Sequence, residues 1–354
     1  MGVVSEEAID EFLELIDQVE EPLKKTFENV HQGYLREHLS RFLKARDWNV
    51  CKAKTMLVEC LRWRVDNEID SILSVSHSSP YPCFVLCGIR SCFWLPQKPI
   101  VPSELYRGVR DSQLIGMSGY TREGLPVFAI GVGLSTFDKA SVHYYVQSHI
   151  QINEYRDRVL LPSMSKKNGR PITTCVKVLD MTGLKLSALS QIKLVTIIST
   201  IDDLNYPEKT NTYYVVNAPY IFSACWKVVK PLLQERTRKK VHVLSGCGRD
   251  ELLKSMDITS LPHFCRRGGS SGSSHHTEGV DCFSFDHPFH QQLYNYVKHH
   301  YETQGQAEPA KQGSFHVGFP EPEAEIAKTI ESELHKFENC NGLCKPAYDR
   351  KGCP

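Results

Sequence analysis

The sequence predicts an α/β protein, in which an N-terminal helical region precedes a mostly parallel sheet with crossover helices. Two observations support this fold class. Apolar residues keep helical spacing from residue 5 to about 70, and strand-like apolar runs alternate with helical stretches from about 98 to 265. With 354 residues, the chain is long enough to bury a sizeable core.

The N-terminal helices are marked by apolar residues that recur on one face. Leu35, Leu39, Phe42 and Leu43 keep helical spacing, and Asn49 is a residue type that commonly caps the start of a helix. The next helix continues a single apolar face through Ala53, Met56, Leu57, Cys60 and Leu61.

The sheet is indicated by short apolar runs that are separated by longer helical patterns. Near-continuous apolar strands with helices between them are typical of parallel sheets. The predicted strands are 125–133, 173–181, 211–219 and 239–246, and the predicted helices between them are 139–161, 187–204, 221–235 and 249–256.

We expect four regions along the chain. The stretch after the helices has three cysteines, several aromatic residues and no clear period, and "GGSSGSSHHTEG" reads as a flexible linker. The regions are an N-terminal helical region (1–72), an atypical insertion (73–97), the α/β domain (98–267), and a linker with a mostly irregular tail (268–354) that contains one modest helix near 322–338.

Composition excludes several classes of protein. A net charge of +1 gives no global field that would favour nucleic acid, and no apolar run reaches the ~18 residues of a membrane span. The N-terminus is acidic and helix-patterned, which argues against a secretory signal. Thirteen cysteines without a repeating spacing favour reduced thiols in the cytosol.

Signals of catalysis are weak. Ser270 satisfies a G-x-S-x-G pattern, but it lies in the linker without the strand and helix of a nucleophile elbow. The segment 246–251 is better explained as a tight turn than as a phosphate-binding site. No histidine, cysteine or second acid is tied by spacing to Asp180, so a catalytic role for this carboxylate has little support. We therefore expect no catalytic step. We also expect no metal, because the candidate ligands Cys340, Cys344 and Cys353 match no strong zinc pattern and lack a placed fourth ligand.

The stretch "NYPEKTNTYYVVNAPYIFSACWKVVKPLL" (205–233) places aromatic residues directly after a strand-like run. It then ends on Lys227 and Lys230, without the polar face of an ordinary amphipathic helix. From the residues alone, a buried helix and a helix that faces lipid are equally supported.

Three segments resemble the CRAL-TRIO lipid-binding family. "HLSRFLKARDWNVCKAKTMLVECLRWR" resembles its N-terminal motif, and "SLPHFCRR" resembles the end of its domain. "NYPEKTNTYYVVNAPYIFSACWKVVKPLLQERTRKKVHVL" is similar to the core signature of the yeast-type phosphatidylinositol/phosphatidylcholine transfer branch, especially its plant members. The resemblance covers about 34–267, whereas 74–97 and the tail from 340 depart from it. It implies a sheet and helices that enclose an apolar lipid pocket.

The resemblance implies that the helix after "NAP" is a gate over the acyl chains of a bound lipid. Basic residues at its end would then lie near headgroups, where each contributes about 1 kcal/mol on an anionic surface. The implied lipid-facing residues are Tyr220, Ile221, Phe222 and Trp226, and the basic residues are Lys227 and Lys230.

The same resemblance implies a phosphoinositol headgroup site. An anionic phosphate and several hydroxyls call for cations, a carboxylate acceptor and a hydroxyl at one end of an apolar pocket. The matching residues are Arg46, Glu208, Thr237 and Lys240. The structural alternatives are that Arg46 pairs with Asp47 or Glu37 and that Glu208 only caps a turn.

Where the family contacts a choline lipid, this chain departs from the pattern. Lys185 and Asp202 occupy positions at which the resemblance implies small hydroxyl residues. A lysine and an acid alter the surroundings of a zwitterionic headgroup, so the sequence favours phosphatidylinositol and leaves a second lipid open.

These expectations combine into a function. We expect a cytoplasmic protein, peripheral on Golgi or plasma membrane, that transfers phosphatidylinositol and presents it to lipid kinases. Bound phospholipid would be its ligand, with no other cofactor and no nucleic-acid partner. The alternatives are a carrier of a tocopherol- or retinoid-like molecule and a membrane adaptor that transfers nothing.

Overall fold

The structure, a computed structural model, describes residues 2–73, 103–266 and 281–303. It has N-terminal helices followed by a five-stranded sheet in the order β1-β2-β3-β4-β5. β1 (Ile115–Tyr120) and β2 (Pro126–Gly131) are antiparallel, and β3 (Cys175–Asp180), β4 (Thr210–Val216) and β5 (Val241–Val243) continue the sheet in parallel. The predicted fold class is therefore confirmed.

Helices precede the sheet, connect its strands and follow it. Those before the sheet are α1 (Gly2–Ile16), α2 (Glu21–His31), α3 (Leu35–Lys44), α4 (Val50–Asp66) and α5 (Ser103–Ser112). The others are α6 (Val142–Tyr155), α7 (Leu161–Asn168), α8 (Ile192–Asn205), α9 (Phe222–Val229), α10 (Glu235–Arg238), α11 (Arg249–Leu252), α12 (His263–Arg266) and α13 (Pro288–Thr303). Short 3₁₀ turns lie at Ile69–Ser71, Leu186–Gln191, Lys230–Leu232 and Ile258–Ser260.

The N-terminal helices form a core of their own. The side-chain oxygen of Asn49 accepts a hydrogen bond from the Lys52 amide at 2.9 Å, so it caps α4 as predicted. Burial of one apolar face of each helix supplies the packing free energy that short helices lack by themselves. The buried residues include Phe12, Leu39, Phe42, Leu43, Ala53, Met56, Leu57, Cys60 and Leu61.

The two faces of the sheet have different roles because side chains alternate along a strand. On one face, the side chains of Val127, Ala129, Val176 and Val178 pack into a cluster that includes residues of α11 and α12. The intervening residues face the opposite side, where they line the cavity described below. They are Phe128, Ile130, Lys177 and Leu179.

One strand of the sheet was not predicted. β1 is the antiparallel edge strand, and its sequence "IGMSGY" lacks an apolar run. The chain crosses close beside it, since a Cβ on Gly116 would lie 1.8 Å from the carbonyl oxygen of Cys282. Only glycine permits this approach without a shift of the backbone.

Helix α13 lies in a stretch for which no helix was predicted from the sequence. Its Phe289, Leu293 and Val297 are buried in the same cluster as Phe128 and Ile150, so this part of the chain packs against the α/β domain. The predicted insertion after Leu73, the linker 268–279, the helix near 322–338 and the cysteines from 340 onward lie outside the described residues.

A π-helical turn, Arg156–Leu160, joins α6 to α7. All of the residues from 145 to 155 are buried, so α6 is enclosed within the protein after its exposed first turn. π-Turns of this kind are rare and frequently occur at functional sites.

A buried ion cluster ties the N-terminal helices to α6. The Arg64 guanidinium donates two hydrogen bonds to the Glu154 carboxylate, at 2.8 and 2.7 Å, and contacts Asp70 at 2.8 Å. The Tyr206 hydroxyl donates to the same carboxylate at 2.7 Å. Burial alone would raise the pKa of Glu154, but the charges of Arg64 and Arg158 hold it at about 2.

We expect Arg64→Ala to lower the free energy of unfolding by about 3–5 kcal/mol, because it leaves a buried carboxylate without its main partner. Arg62→Ala is the matched control, since Arg62 is exposed on the same helix. Urea denaturation followed by circular dichroism measures both variants. Equal losses in the two variants would show that the cluster does not hold the domains together.

Candidate functional site

An apolar cavity of about 350 Å³ lies between the sheet and helices α8 and α9. A cavity of this size and character is typical of sites that bind small apolar ligands. Its apolar lining includes Phe128, Ile130, Leu179, Val195, Ile198, Val215, Phe222, Cys225, Trp226, Val229, Leu233 and Val241.

Helix α9, which the sequence analysis assigned as a gate, forms one wall of this cavity. Phe222 and Trp226 line it and stack on each other, with ring centroids 5.9 Å apart. Ile221 is buried in an adjoining cluster with Met181 and Leu184. Tyr220 precedes the helix and is 83% exposed, so it lies on the protein surface and not in the cavity. The basic residues at the end of the stretch, Lys227 and Lys230, are exposed.

One end of the cavity is polar, and Asp202 lies at its centre. The Asp202 carboxylate contacts His149 Nε2 at 2.7 Å, accepts from Asn153 at 2.8 Å and lies 3.4 Å from Lys177 Nζ. Burial alone would raise the pKa of Asp202, but His149 and Lys177 hold it well below its usual range. The carboxylate is therefore ionised inside the cavity.

The lysine beside Asp202 is Lys177, and Lys185, which the sequence analysis selected, lies exposed on the surface. Burial alone would lower the pKa of Lys177, yet Tyr213 and Asp202 raise it above its usual value. The sequence carried a signal for this residue, because Lys177 is the one basic residue within the apolar strand "CVKVLD".

A smaller polar pocket adjoins this end of the cavity, and it contains most of the predicted headgroup residues. Glu208, Thr237 and Lys240 all line it, and Lys240 Nζ lies 2.6 Å from the Glu208 carboxylate. Lys240 also donates to the Thr210 carbonyl at 3.0 Å. Glu208 has a backbone φ of 57°, a left-handed conformation that costs a non-glycine residue free energy.

Arg46, the fourth predicted headgroup residue, is not part of the lining of this pocket, whereas Arg236 is. Both guanidinium groups donate to the Ala45 carbonyl, Arg46 at 3.0 Å and Arg236 at 2.9 Å. Arg236 also lines the pocket and contacts Glu208 at 3.3 Å. The sequence analysis missed Arg236, although it precedes Thr237 in "ERTRKK".

A possible metal-binding group lies elsewhere in the fold. Ligand atoms of His263, Asp281 and Cys282 all lie within 4.8 Å of one another. Burial raises the pKa of the Cys282 thiol to about 12, which disfavours the thiolate that a metal requires. We therefore assign no metal to this group.

Comparison with known proteins identifies the domains that carry the cavity. The CRAL/TRIO domain matches residues 110–266, and the CRAL/TRIO N-terminal domain matches residues 8–59, so that together they cover more than half of the chain. The chain belongs to the CRAL/TRIO family. The strands and α9 of the cavity all lie within the first match, and helices α2 and α3 lie within the second.

Relatives of the chain include yeast and plant members of the family. It is 27% identical over 243 residues to the SEC14 cytosolic factor of Eremothecium gossypii, covering 68% of this chain and 71% of the relative. It is 29% identical over 241 residues to the phosphatidylinositol/phosphatidylcholine transfer protein SFH9 of Arabidopsis thaliana, covering 66% of this chain but only 37% of that longer protein.

A solved structure also shares the fold. The crystal structure of Sfh5 aligns with a TM-score of 0.52 at 16% identity, covering 84% of this chain and 96% of the other. At this identity the similarity concerns the CRAL/TRIO fold alone. Within the described residues, no helix combines the length and apolar character needed to cross a bilayer.

The pH dependence of stability tests the electrostatics of the polar pocket. Burial raises the pKa of Asp203 from 3.8 to about 6, against the opposing charge of Arg236, and Asp202 and Glu208 add to the rise. At pH values between these two pKa values, the carboxyl of Asp203 is ionised in the unfolded chain and protonated in the folded chain. The wild type therefore loses stability relative to Asp203→Asn as pH rises from about 4 to about 7. Denaturant unfolding at several pH values measures this difference, and a constant difference contradicts the shift.

Proposed function

We propose that the protein binds phosphatidylinositol in the apolar cavity and transfers it between membranes without a catalytic step. The observation that carries this proposal is the continuity of an apolar cavity with a polar pocket that contains Glu208, Thr237 and Lys240. The acyl chains of the lipid would occupy the cavity, and its headgroup would occupy the pocket. The relative SFH9 is named a phosphatidylinositol/phosphatidylcholine transfer protein, which supports the same proposal.

The chemistry of the pocket suits an inositol phosphate. Lys240 and Arg236 supply positive charge for the phosphate, and the Thr237 hydroxyl and Glu208 carboxylate offer hydrogen bonds to ring hydroxyls. In the structure Glu208 contacts both cations, and Asp203 lies 3.8 Å from Arg236. Headgroup binding then exchanges these internal contacts for contacts with the ligand, so that an empty pocket does not leave two unpaired cations.

Helix α9 suits the role of a gate because it belongs to the cavity wall and yet lies near the surface. Phe222 and Trp226 are partly exposed while their rings line the cavity, and Lys227 on the same helix is exposed. An apolar side with basic residues beside it can insert shallowly into the interface of a bilayer. Outward movement of α9 would open the cavity to lipid at the membrane.

In the cell, we propose a cytoplasmic protein that works at the surface of Golgi or plasma membranes and presents its lipid to lipid kinases. Support comes from the resemblance in sequence and from relatives named as cytosolic factors and lipid transfer proteins. The sharpest test of the ligand is native mass spectrometry of the purified protein. Recovery of phosphatidylinositol supports the proposal, and recovery of a different hydrophobic molecule alone overturns it.

The headgroup assignment predicts that Lys240→Ala reduces phosphatidylinositol transfer between vesicles by roughly tenfold, because a hydrogen bond to a charged group contributes about 1.5–3 kcal/mol. Glu208→Ala should reduce transfer as well, since it removes the acceptor that lies beside Lys240 and Arg236. The matched control is Lys239→Ala, because Lys239 is the adjacent lysine, is 73% exposed and pairs with Glu235.

Thermal unfolding of the same samples distinguishes a variant that has lost its fold from one that has lost only lipid binding. If Lys240→Ala and Lys239→Ala transfer phosphatidylinositol equally well, the pocket does not hold the headgroup.

The gate assignment predicts that Phe222→Asp combined with Trp226→Asp abolishes lipid occupancy and weakens vesicle binding. The two residues are four apart on α9, so the change places two carboxylates on the side that lines the cavity. Ser223→Asp is the control, because Ser223 is exposed on the same helix. Circular dichroism, mass spectrometry and vesicle-to-vesicle transfer are measured on one preparation. A folded double variant that retains normal occupancy and transfer rules out the gate.

A further inference from the structure

The polar end of the cavity holds a hydrogen-bond donor that the protein itself does not satisfy. Arg156 is only 2% exposed and lines the cavity. Its Nε donates to Asp157 at 2.7 Å and its Nη1 donates to Asn153 at 2.9 Å. Its Nη2 is buried without a hydrogen-bond partner among the residues that the structure describes. A buried unpaired donor is destabilising, and more so when it is charged, so an acceptor in the cavity would stabilise it.

Lys177 lies close to this donor and is also only partly satisfied. Its ammonium has three donors, and the hydrogen bond that it makes, to Asp202, is long at 3.4 Å. The same carboxylate already accepts from Asn153 and contacts His149. An ammonium with spare donors therefore lies at the polar end of the cavity, with its Nζ 5.6 Å from the centroid of the Tyr213 ring.

The charges at this end are balanced in number, so the case for an anion rests on the donors that are left without acceptors. The charged residues that line both the cavity and the adjoining polar pocket are Arg156, Lys177, Asp202 and Asp203. The Nη2 of Arg156 and the ammonium of Lys177 can only donate hydrogen bonds, and an anionic oxygen is the strongest acceptor for them. A quaternary ammonium offers these donors no acceptor.

We propose that Arg156 and Lys177 bind the negatively charged headgroup of a second amphiphile, whose apolar tail fills the cavity. This inference rests on the proposed use of the cavity for lipids, and it assigns the second ligand to the anionic class. Two sources share this chemistry: the carboxylate of a free fatty acid and the phosphate monoester of phosphatidic acid. Both offer oxygen acceptors to the unpaired Nη2 of Arg156 and to the free donors of Lys177.

The test compares ligands that share the same acyl chains and differ in the charge of the headgroup, on delipidated full-length protein at about pH 8, where carboxylates are ionised. Isothermal titration measures oleic acid against methyl oleate, and native mass spectrometry measures phosphatidic acid against phosphatidylcholine. We expect at least one anionic ligand to bind roughly tenfold or more tightly than its uncharged or zwitterionic counterpart, as one charged hydrogen bond allows. The pair that shows the preference identifies the source.

Variants then locate the preference. Lys177→Met keeps the length of the side chain and removes its charge, and we expect it to abolish the preference for the anion. Lys185→Met is the matched control, because Lys185 is exposed and lies outside the cavity lining. If Lys177→Met does not fold, the comparison of ligands on the wild type decides the proposal by itself.

Equal binding of the charged and uncharged ligands in both pairs overturns the inference, and so does an unchanged preference in folded Lys177→Met. Phosphatidylinositol is measured in the same assay, so the two proposals fail separately. Loss of phosphatidylinositol binding with a retained preference for the anion refutes the proposed function alone. Normal phosphatidylinositol binding without that preference refutes the present inference alone.

Discussion

The bidentate contact between Arg64 and Glu154 is the interaction on which the rest of the molecule depends. It joins α4 to α6, and the Tyr206 hydroxyl adds the segment that leads into β4. From α3, Arg41 donates to the carbonyl of Pro207 at 3.2 Å, and from α4 the Cys60 thiol donates to the carbonyl of Asn205 at 3.6 Å, so the N-terminal helices hold this segment at two points. Because Glu208 comes next in the chain, these helices also position the polar pocket.

The sheet supports the cavity with the same strands that build the core. Val176 and Val178 pack beneath the sheet, while Lys177 and Leu179 line the cavity above it. Because side chains alternate along β3, Lys177 faces α8 across the cavity while its neighbours stay packed on the other side of the sheet. Asp202 lies on α8, on the opposite wall of the cavity, so its ion pair with Lys177 links α8 to β3 across the polar end.

The sequence predicted the elements whose signal is local. The strands β2 to β5, the capped start of α4 and the pairing of Phe222 with Trp226 follow from spacing and residue type. It did not predict α13, whose buried Phe289 and Leu293 are separated by glutamines and histidines that weaken its apolar pattern.

Contacts between distant segments left no local signal, and this limited prediction of the site. Arg236 belongs to the polar pocket because it reaches the carbonyl of Ala45, 191 residues earlier. Lys177 carried a local signal, as the one basic residue of its apolar strand, but its pairing with Asp202 on α8, 25 residues later, carried none.

The π-turn Arg156–Leu160 has a consequence for evolution as well: Arg156 lines the cavity, while Arg158 contacts Glu154 and Asp70. Insertion or deletion of one residue there would rotate both arginines away together, so we expect the length of this segment to be far less variable than that of the surface loops.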